Sequence, residues 1–284
     1  MSSSFLFVLP GIVGFLAVYL SDLEKAKSHV YRIFIPWIPI FAFLVITLAF
    51  QIEGWACWVM ILPVFLIMAS LGGMLGGYLK VQKRSNKLNV SLLVLLPLVI
   101  SPIESLIHTI PATYTANTYI DINASAEKIW NEVTRVGEIS EVEDKGFLTN
   151  FLGLPRPVKA ELNYEGIGAS REAIFTNGLV FNETVSEYVN NKRMVFSIQA
   201  NTHDIPSTTL DKHILIGGDY FDVLDGKYEL EKLENGKHRL HLSSRFKMNT
   251  TFNFYAGWIG KFIMKDIQNN ILQVEKSRAE NADK

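Results

Sequence analysis

The chain has 284 residues, of which 49% are hydrophobic and 19% charged, and its formal net charge is -1. This near-neutral balance gives no reason to expect nucleic acid as a partner. The single cysteine, Cys57, excludes a disulfide framework within the chain. Apolar runs dominate before about residue 110 and charges are spread evenly after it. The sequence therefore predicts a membrane region over residues 1–110 and a separate domain over residues 115–284.

The first region contains four apolar runs, each about as long as the ~17–25 residues that a membrane-spanning helix needs. The predicted spans are residues 4–20, 33–50, 55–79 and 88–107. No ionisable residue lies near the middle of a run, so we expect an anchor rather than a transport pathway. The pairs Gly72/Gly76 and Gly73/Gly77 have GxxxG spacing, which permits a homodimer through membrane helices.

Charges between the runs predict an orientation in the cell (inner) membrane. Basic residues follow the first and third runs, whereas residues 51–54 contain none; the two basic clusters are Lys25, Lys27 and Arg32, and Lys80, Lys83, Arg84 and Lys87. Under the positive-inside rule both clusters are cytoplasmic. The N-terminus and everything after residue 107 are then predicted outside the cytoplasm, and the loss of one span would reverse the placement of the second region.

The second region begins with a predicted strand over residues 115–122. Ser125 suits the N-cap of a short helix whose apolar face carries Ile129, Trp130 and Val133. A second short helix is predicted over residues 137–144. Six further strands follow from alternating patterns and turn signals, over residues 158–164, 170–175, 179–188, 193–199, 220–233 and 237–248.

A long helix over residues 252–279 closes the chain. Its predicted apolar stripe consists of Tyr255, Ile259, Phe262, Ile263, Ile267, Ile271 and Val274, and Gln268 is predicted away from it. Charges from Lys261 to Arg278 argue against a fifth span. The order of elements predicts an α+β fold, in which an antiparallel sheet packs on one long helix and leaves an apolar cavity.

The run Tyr-Ile-Asp-Ile-Asn-Ala-Ser-Ala-Glu-Lys-Ile-Trp, residues 119–130, resembles the start of the START-like, helix-grip superfamily. This superfamily, also called SRPBCC, includes polyketide cyclases/dehydrases and lipid-transfer domains. Similar features recur at residues 168–171, 181–183, 218–228 and 240–245, so the resemblance covers roughly residues 115–279 and none of the apolar runs. It implies a curved seven-stranded antiparallel sheet around a long C-terminal helix, with a bound lipid or other hydrophobic small molecule.

The candidate ligand-cavity residues are Trp130, Arg171, Phe181, Glu183, Tyr220, Tyr228, Trp258, Phe262 and Ile263. For the large aromatic residues among them, lining a cavity and filling an ordinary core are equally compatible with the sequence. No HExxH motif or Cys/His set occurs, and His203, Asp204 and His213 fall in a polar loop. The sequence therefore predicts no metal and no cofactor.

Glu172 and Glu183 are the candidate catalytic residues. If Asn177-Gly178 is a two-residue hairpin turn, these carboxylates face each other across two strands. A buried pair would raise one pKa and leave a proton to donate. The alternatives are a solvated pair or compensation by Arg171. A cyclase- or dehydratase-like enzyme therefore stands beside two other hypotheses, a membrane-anchored binding module and a structural or regulatory protein with a collapsed cavity.

Overall fold

The computed structural model describes residues 3–82, 109–201, 217–234 and 236–281, together with residues 95, 97, 99 and 100. The chain divides into two compact units, Met1–Ile110 and Pro111–Lys284. Most of the predicted fourth span lies outside the described residues, and so do the basic residues Lys83, Arg84 and Lys87. The loop with His203, Asp204 and His213 also lies outside them.

Over residues 3–82, the first unit begins with a π-helical turn, Ser4–Val8, and continues through α1 (Leu9–Tyr19), α2 (Leu23–Ala26), α3 (His29–Phe34), α4 (Trp37–Ala49) and α5 (Trp55–Val81). Two stretches, His29–Ala49 and Trp55–Val81, are long and apolar enough to cross a membrane, and Ser4–Tyr19 is a shorter apolar helix. The predicted spans over residues 33–50 and 55–79 fall on the two longer stretches. Helix α4 begins after Pro36, whose missing N–H interrupts the hydrogen bonding from α3.

Glycines bring the helices of the first unit into backbone contact. A Cβ atom at Gly72 or Gly76 would overlap a carbonyl group of α1, so α1 and α5 touch there. Gly73 and Gly77 leave room for Arg32 in the same way. Both GxxxG pairs are thus used for packing within the chain. A homodimer through membrane helices stays a prediction, and these four glycines do not support it because they contact other helices of the same chain.

Basic side chains cluster at one end of this unit. Lys80 Nζ donates a hydrogen bond of 2.9 Å to the carbonyl oxygen of Tyr19, at the C-terminal end of α1. Arg32, predicted in a loop, is instead a buried helical residue whose Nε donates to the Ala26 carbonyl at 2.6 Å. Carbonyl groups at helix ends favour such cations. Arg32 and Lys80, one from each predicted basic cluster, therefore both lie beside helix ends of this unit.

In the part of the second unit that the structure describes, an eight-stranded antiparallel sheet is accompanied by three helices. Its strands are β1 (Ala112–Ile122), β2 (Arg135–Val136), β3 (Pro157–Leu162), β4 (Ser170–Phe175), β5 (Val180–Val189), β6 (Arg193–Asn201), β7 (Phe221–Lys232) and β8 (His238–Met248). The spatial order is β1-β8-β7-β6-β5-β4-β3-β2. The α+β fold is confirmed, with all seven predicted strands present. The eighth, β2, has only two residues, which is too short to show alternation.

The helices of this unit are α6 (Ala126–Thr134), α7 (Phe147–Leu152) and α8 (Asn253–Asn281). Ser125 caps α6 as predicted, since its side chain accepts a hydrogen bond from the Lys128 N–H. The helix predicted over residues 137–144 is wrong, because the second short helix is α7. Arg278 of α8 donates to the carbonyl oxygens of Gly137 and Glu138, which takes these groups away from helical hydrogen bonding.

Helix α8 packs against the inward face of the sheet near β1 and β8. The buried positions of α8 are Gly257, Gly260, Met264, Gln268, Asn270, Leu272, Val274, Glu275 and Ala279. The predicted stripe is therefore partly wrong: Gln268 is buried, and Phe262 is exposed. Small residues allow the close approach, since a Cβ at Gly257 would overlap the ring of Tyr114 and one at Gly260 would lie 2.9 Å from Phe246.

Candidate functional site: a buried polar cluster beneath the long helix

The hairpin between β4 and β5 turns through three residues, Thr176–Gly178, rather than two. Asn177 and Gly178 both adopt positive φ, 65° and 78°, which these residue types tolerate. Thr176 forms hydrogen bonds with Arg156 and does not pair across the hairpin. The Thr176 N–H donates to the Arg156 carbonyl at 2.8 Å, and the Thr176 hydroxyl accepts from the Arg156 N–H at 2.9 Å. The extra turn residue shifts the register by one.

This register separates the two candidate catalytic carboxylates. Glu172 faces Asn182, and Glu183 faces Arg171. Because side chains alternate between faces, a shift of one residue sends Glu172 to the solvent side and brings Arg171 inward beside Glu183. The predicted Glu172–Glu183 pair is therefore wrong, and Arg171 compensates the charge of Glu183 instead.

Arg171 and Glu183 form a buried ion pair on the inward face of the sheet. Arg171 Nη1 lies 2.6 Å from Glu183 Oε2, and the two side chains are 4% and 5% exposed. Burial opposes the charge of Arg171, but Glu183, Tyr228 and Glu275 together outweigh it and raise the pKa of Arg171. Burial raises the pKa of Glu183, and the guanidinium opposes that shift. Removing one partner of such a pair lowers the stability of the fold by about 3–5 kcal/mol, because the remaining buried charge is left unpaired.

The guanidinium of Arg171 is enclosed by aromatic rings. It lies 5.6 Å from the ring centroid of Phe196 and 5.9 Å from that of Tyr228, distances at which a cation is attracted to a ring face. Nη2 donates to the Val133 carbonyl at 3.4 Å. Within the described residues, Nε has no hydrogen-bond partner, so one donor of the buried guanidinium is unsatisfied.

Glu275 brings a second carboxyl group to this place from α8. Its side chain is fully buried, and neither oxygen makes a hydrogen bond of normal geometry with a described residue. Burial raises the pKa of Glu275 to about 8, and the nearby Tyr228 phenol and Arg171 guanidinium only partly oppose the shift. Glu275 is therefore largely protonated at neutral pH and can donate a hydrogen bond.

Tyr228 completes the cluster from β7. Burial raises its pKa well above the usual value, and the adjacent Glu275 adds to the shift. The phenol is therefore neutral. The buried polar cluster, defined as Arg171, Glu183, Tyr228 and Glu275, combines one ion pair with two neutral groups. Its apolar surroundings include Ile129, Trp130, Met194, Phe196, Leu240 and Leu272.

A second group of buried polar residues, around Gln268, serves the packing of α8. Gln268 Nε2 donates to Ser244 Oγ at 3.0 Å and to the Ala116 carbonyl at 3.2 Å. The Thr118 hydroxyl lies 3.1 Å from Gln268 Oε1. These contacts join α8 to β1 and β8 and use the hydrogen-bonding groups of Gln268. We assign this group a structural role.

The structure brings five of the nine candidate cavity residues to the inward side: Trp130, Arg171, Phe181, Glu183 and Tyr228. Ile263 is half-buried. Tyr220, Trp258 and Phe262 lie elsewhere, since they are exposed on the surface. For the inward aromatic residues, a role in ligand contact stays a prediction.

Sequence reasoning missed Glu275. The available signal was its spacing: Gln268, Leu272, Glu275 and Ala279 follow one another at intervals of three or four residues, so they share one face of a helix. A carboxyl group in line with Leu272 indicates a buried acid if that face is the packed one. No group of three or more His, Cys, Asp or Glu residues within the described part of the chain is placed to hold a metal ion.

Residues 111–281 therefore have the helix-grip arrangement, an antiparallel sheet whose first and last strands pair and against which one long C-terminal helix packs. Profiles of known protein families and curated protein sequences give no match to this chain.

Solved structures similar to this chain include a START superfamily protein from Mycobacterium smegmatis, at 11% identity and a TM-score of 0.38 over 59% of this chain and 98% of that one. Norcoclaurine synthase from Thalictrum flavum is similar at 12% identity and a TM-score of 0.37, over 62% and 99% of the two chains. The Aha1 dimer from Colwellia psychrerythraea is similar at 19% identity and a TM-score of 0.32, over 60% and 99%.

Proposed function

We propose that the protein is a membrane-anchored binding module that holds a lipid or another hydrophobic small molecule between the sheet and α8. The observation that carries the proposal is the Glu275 carboxyl group, which is fully buried and makes no hydrogen bond of normal geometry with the described residues, although the Tyr228 phenol lies close to it. More than about 90% of buried polar groups in folded proteins have a partner. A polar group on a bound ligand would supply one, and Arg171 Nε offers a second donor nearby.

The surroundings of the cluster suit a ligand that is apolar apart from one polar end. Phe196, Met194 and Leu272 belong to one buried apolar cluster and would provide apolar walls, while the carboxylic acid and the guanidinium would fix the position of a carbonyl or hydroxyl group. Burial of about 300 Å² of apolar ligand surface contributes several kcal/mol before the costs of binding. The polar contacts would then select the orientation of the ligand.

The anchor is proposed from the first unit. Its two long apolar stretches, together with the predicted spans over residues 4–20 and 88–107, give four crossings. The basic side chains Arg32 and Lys80 lie at one end of the unit, which suits a cytoplasmic end under the positive-inside rule. We therefore propose that the N-terminus and the helix-grip domain lie outside the cytoplasm.

A second candidate function is catalysis of a cyclase- or dehydratase-like reaction. Glu275 favours it, because a carboxylic acid that keeps its proton at neutral pH can act as a general acid. Product formation from a bound ligand would distinguish this function from binding alone. The earlier candidate pair is replaced here by a single acid on α8.

Native mass spectrometry of the full chain, extracted in mild detergent, tests the binding proposal. The wild-type protein should carry a co-purified apolar molecule or take up a fluorescent fatty-acid analogue. Glu275→Gln and Tyr228→Phe keep the side-chain shapes but alter the polar contacts, so each should weaken uptake about tenfold. Glu141→Gln, at an exposed position, is the matched control and should bind as wild type does. If the folded wild-type protein takes up no apolar probe, a structural role becomes the better account.

A further inference from the structure

The first half of α8 exposes aromatic side chains on its outer face. Trp258 and Phe262 are one helical turn apart, their ring centroids are 5.6 Å apart, and they are 57% and 59% exposed. Helix α7 contributes Phe147, which is 79% exposed. The two helices are neighbours, because the Thr149 N–H donates to the Asp266 carboxylate at 2.9 Å. We call Phe147, Trp258 and Phe262 the aromatic surface. Exposed apolar patches rimmed by polar groups mark interaction sites.

Basic residues border the aromatic surface. The sequence contains no aspartate or glutamate from residue 249 to residue 265, whereas Lys261 and Lys265 lie in this stretch. Asp266, the next acid, is engaged by the N–H and the hydroxyl of Thr149 at 2.9 and 3.0 Å. The surface therefore combines aromatic rings with two lysines from a stretch of α8 that carries no acid before Asp266, which suits a partner that is apolar and negatively charged.

The aromatic surface also lies near the point where the chain enters this domain. The Tyr114 hydroxyl donates to the Asn253 carbonyl at 2.7 Å, at the start of α8. Its ring also fills the space above Gly257, next to Trp258. Pro111, where the domain begins, is three residues before Tyr114, or about 10 Å of extended chain. The last predicted span ends at residue 107, so a membrane anchor would hold this end of the domain close to the bilayer.

We infer that the aromatic surface docks onto the lipid bilayer, with Trp258 and Phe262 in the headgroup region and Lys261 and Lys265 near anionic headgroups. Helices at membrane interfaces have this composition, with Trp and Phe on the buried face and Lys beside it. Tryptophan is favoured there because its ring is amphipathic. The inference rests on the membrane anchoring in the proposed function, and the experiment below separates the two.

The test uses the full chain reconstituted into vesicles. The buried Cys57 is replaced by serine, and a single cysteine introduced as Trp258→Cys or Phe262→Cys carries an environment-sensitive fluorophore. Glu172→Cys, at an exposed position on the outer side of the sheet, is the matched control. Vesicles contain phosphatidylcholine alone or with phosphatidylglycerol, each with and without a lipid that carries a quencher near its headgroup.

Docking predicts that labels at positions 258 and 262 shift to the blue and are quenched by the lipid, whereas the label at position 172 is not. Phosphatidylglycerol should strengthen the quenching. Lys265→Gln should lower the docking equilibrium about fivefold in those vesicles only, as expected for one lysine near an anionic surface.

Three results would overturn the inference. Equal quenching at positions 258 and 172, in a chain that resists alkaline extraction, removes docking but leaves the anchor. A blue shift without lipid quenching shows that protein, such as a second copy of the chain, covers the surface. Release of the chain by alkaline extraction removes the anchor, and the docking inference with it.

Discussion

The buried acid on α8 makes the stability of the helix-grip domain depend on pH. The pKa of Glu275 rises from an ordinary value of 4.5 to about 8 in the folded protein. Between these values the folded state holds a proton that the unfolded state has released, so rising pH favours unfolding. The stabilisation from the protonated acid is complete below about pH 4.5 and is lost as the pH rises through about 8. Because Glu275 is fully buried, linkage gives a total effect of about 4 to 5 kcal/mol.

Glu275→Gln isolates this effect. The amide resembles the protonated acid but does not ionise, so the variant should not share the loss of stability at alkaline pH. Near pH 5 it should be within about 1 kcal/mol of wild type, since the amide adds a buried N–H group. Near pH 9 it should be more stable than wild type by several kcal/mol.

Urea unfolding of residues 111–284 at pH values from 5 to 9, followed by tryptophan fluorescence, measures the difference. Other carboxyl groups affect wild type and Glu275→Gln alike. The difference between their free energies of unfolding, plotted against pH, therefore reports the ionisation of Glu275. Among them is Glu143, whose hydrogen bonds with Arg278 lower its pKa to about 2. The control variant Glu141→Gln should keep a constant difference from wild type in its free energy of unfolding across this pH range. A constant difference between Glu275→Gln and wild type would show that the acid is ionised or solvated in the folded state, and the reasoning would be refuted.

Three further predictions concern packing, autonomy and topology. Gly226→Ala should destabilise the domain by about 1–3 kcal/mol in the same urea assay, because its Cβ would lie 2.5 Å from the Phe196 ring. Gly137→Ala is the control, because the nearest atom to its added Cβ would lie 3.4 Å away. If the two variants are equally stable, the Phe196 ring moves aside and the packing argument is wrong. Residues 111–284 expressed alone should be soluble and unfold cooperatively, whereas aggregation would show that they need the first unit. Alkaline phosphatase fused after Lys284 should be active, and fluorescence of a fusion in the cytoplasm only would contradict the proposed topology.

The strands could be predicted from the sequence because one side of each faces the core. In β8, Leu240, Leu242, Phe246 and Met248 alternate with polar residues, and the structure buries these four. The hairpin register could not be predicted in the same way. Asn177-Gly178 favours a two-residue turn, but hydrogen bonds from Arg156, twenty residues away, draw Thr176 into the turn.

The face of α8 was difficult to predict because apolar residues occur on two sides of the helix. Large residues such as Trp258 and Phe262 dominate any hydrophobic pattern, yet they are exposed. The side that packs on the sheet carries Gly257 and Gly260, where tight spacing leaves no room for a side chain. It also carries Gln268 and Glu275, whose burial depends on partners from distant strands. Local periodicity contains no information about such partners.

The pairing of β1 with β8 has a consequence for the synthesis of this protein. Ala112 at the start of β1 is aligned with Met248 at the end of β8, although the other strands of the sheet lie between them in the chain. A ribosome must therefore make nearly the whole chain before β1 finds its neighbour. Contacts over such long separations form slowly, and an unpaired strand can associate with other chains meanwhile. Premature termination before β8 would leave β1 without its neighbour in the sheet, so quality control should remove such products.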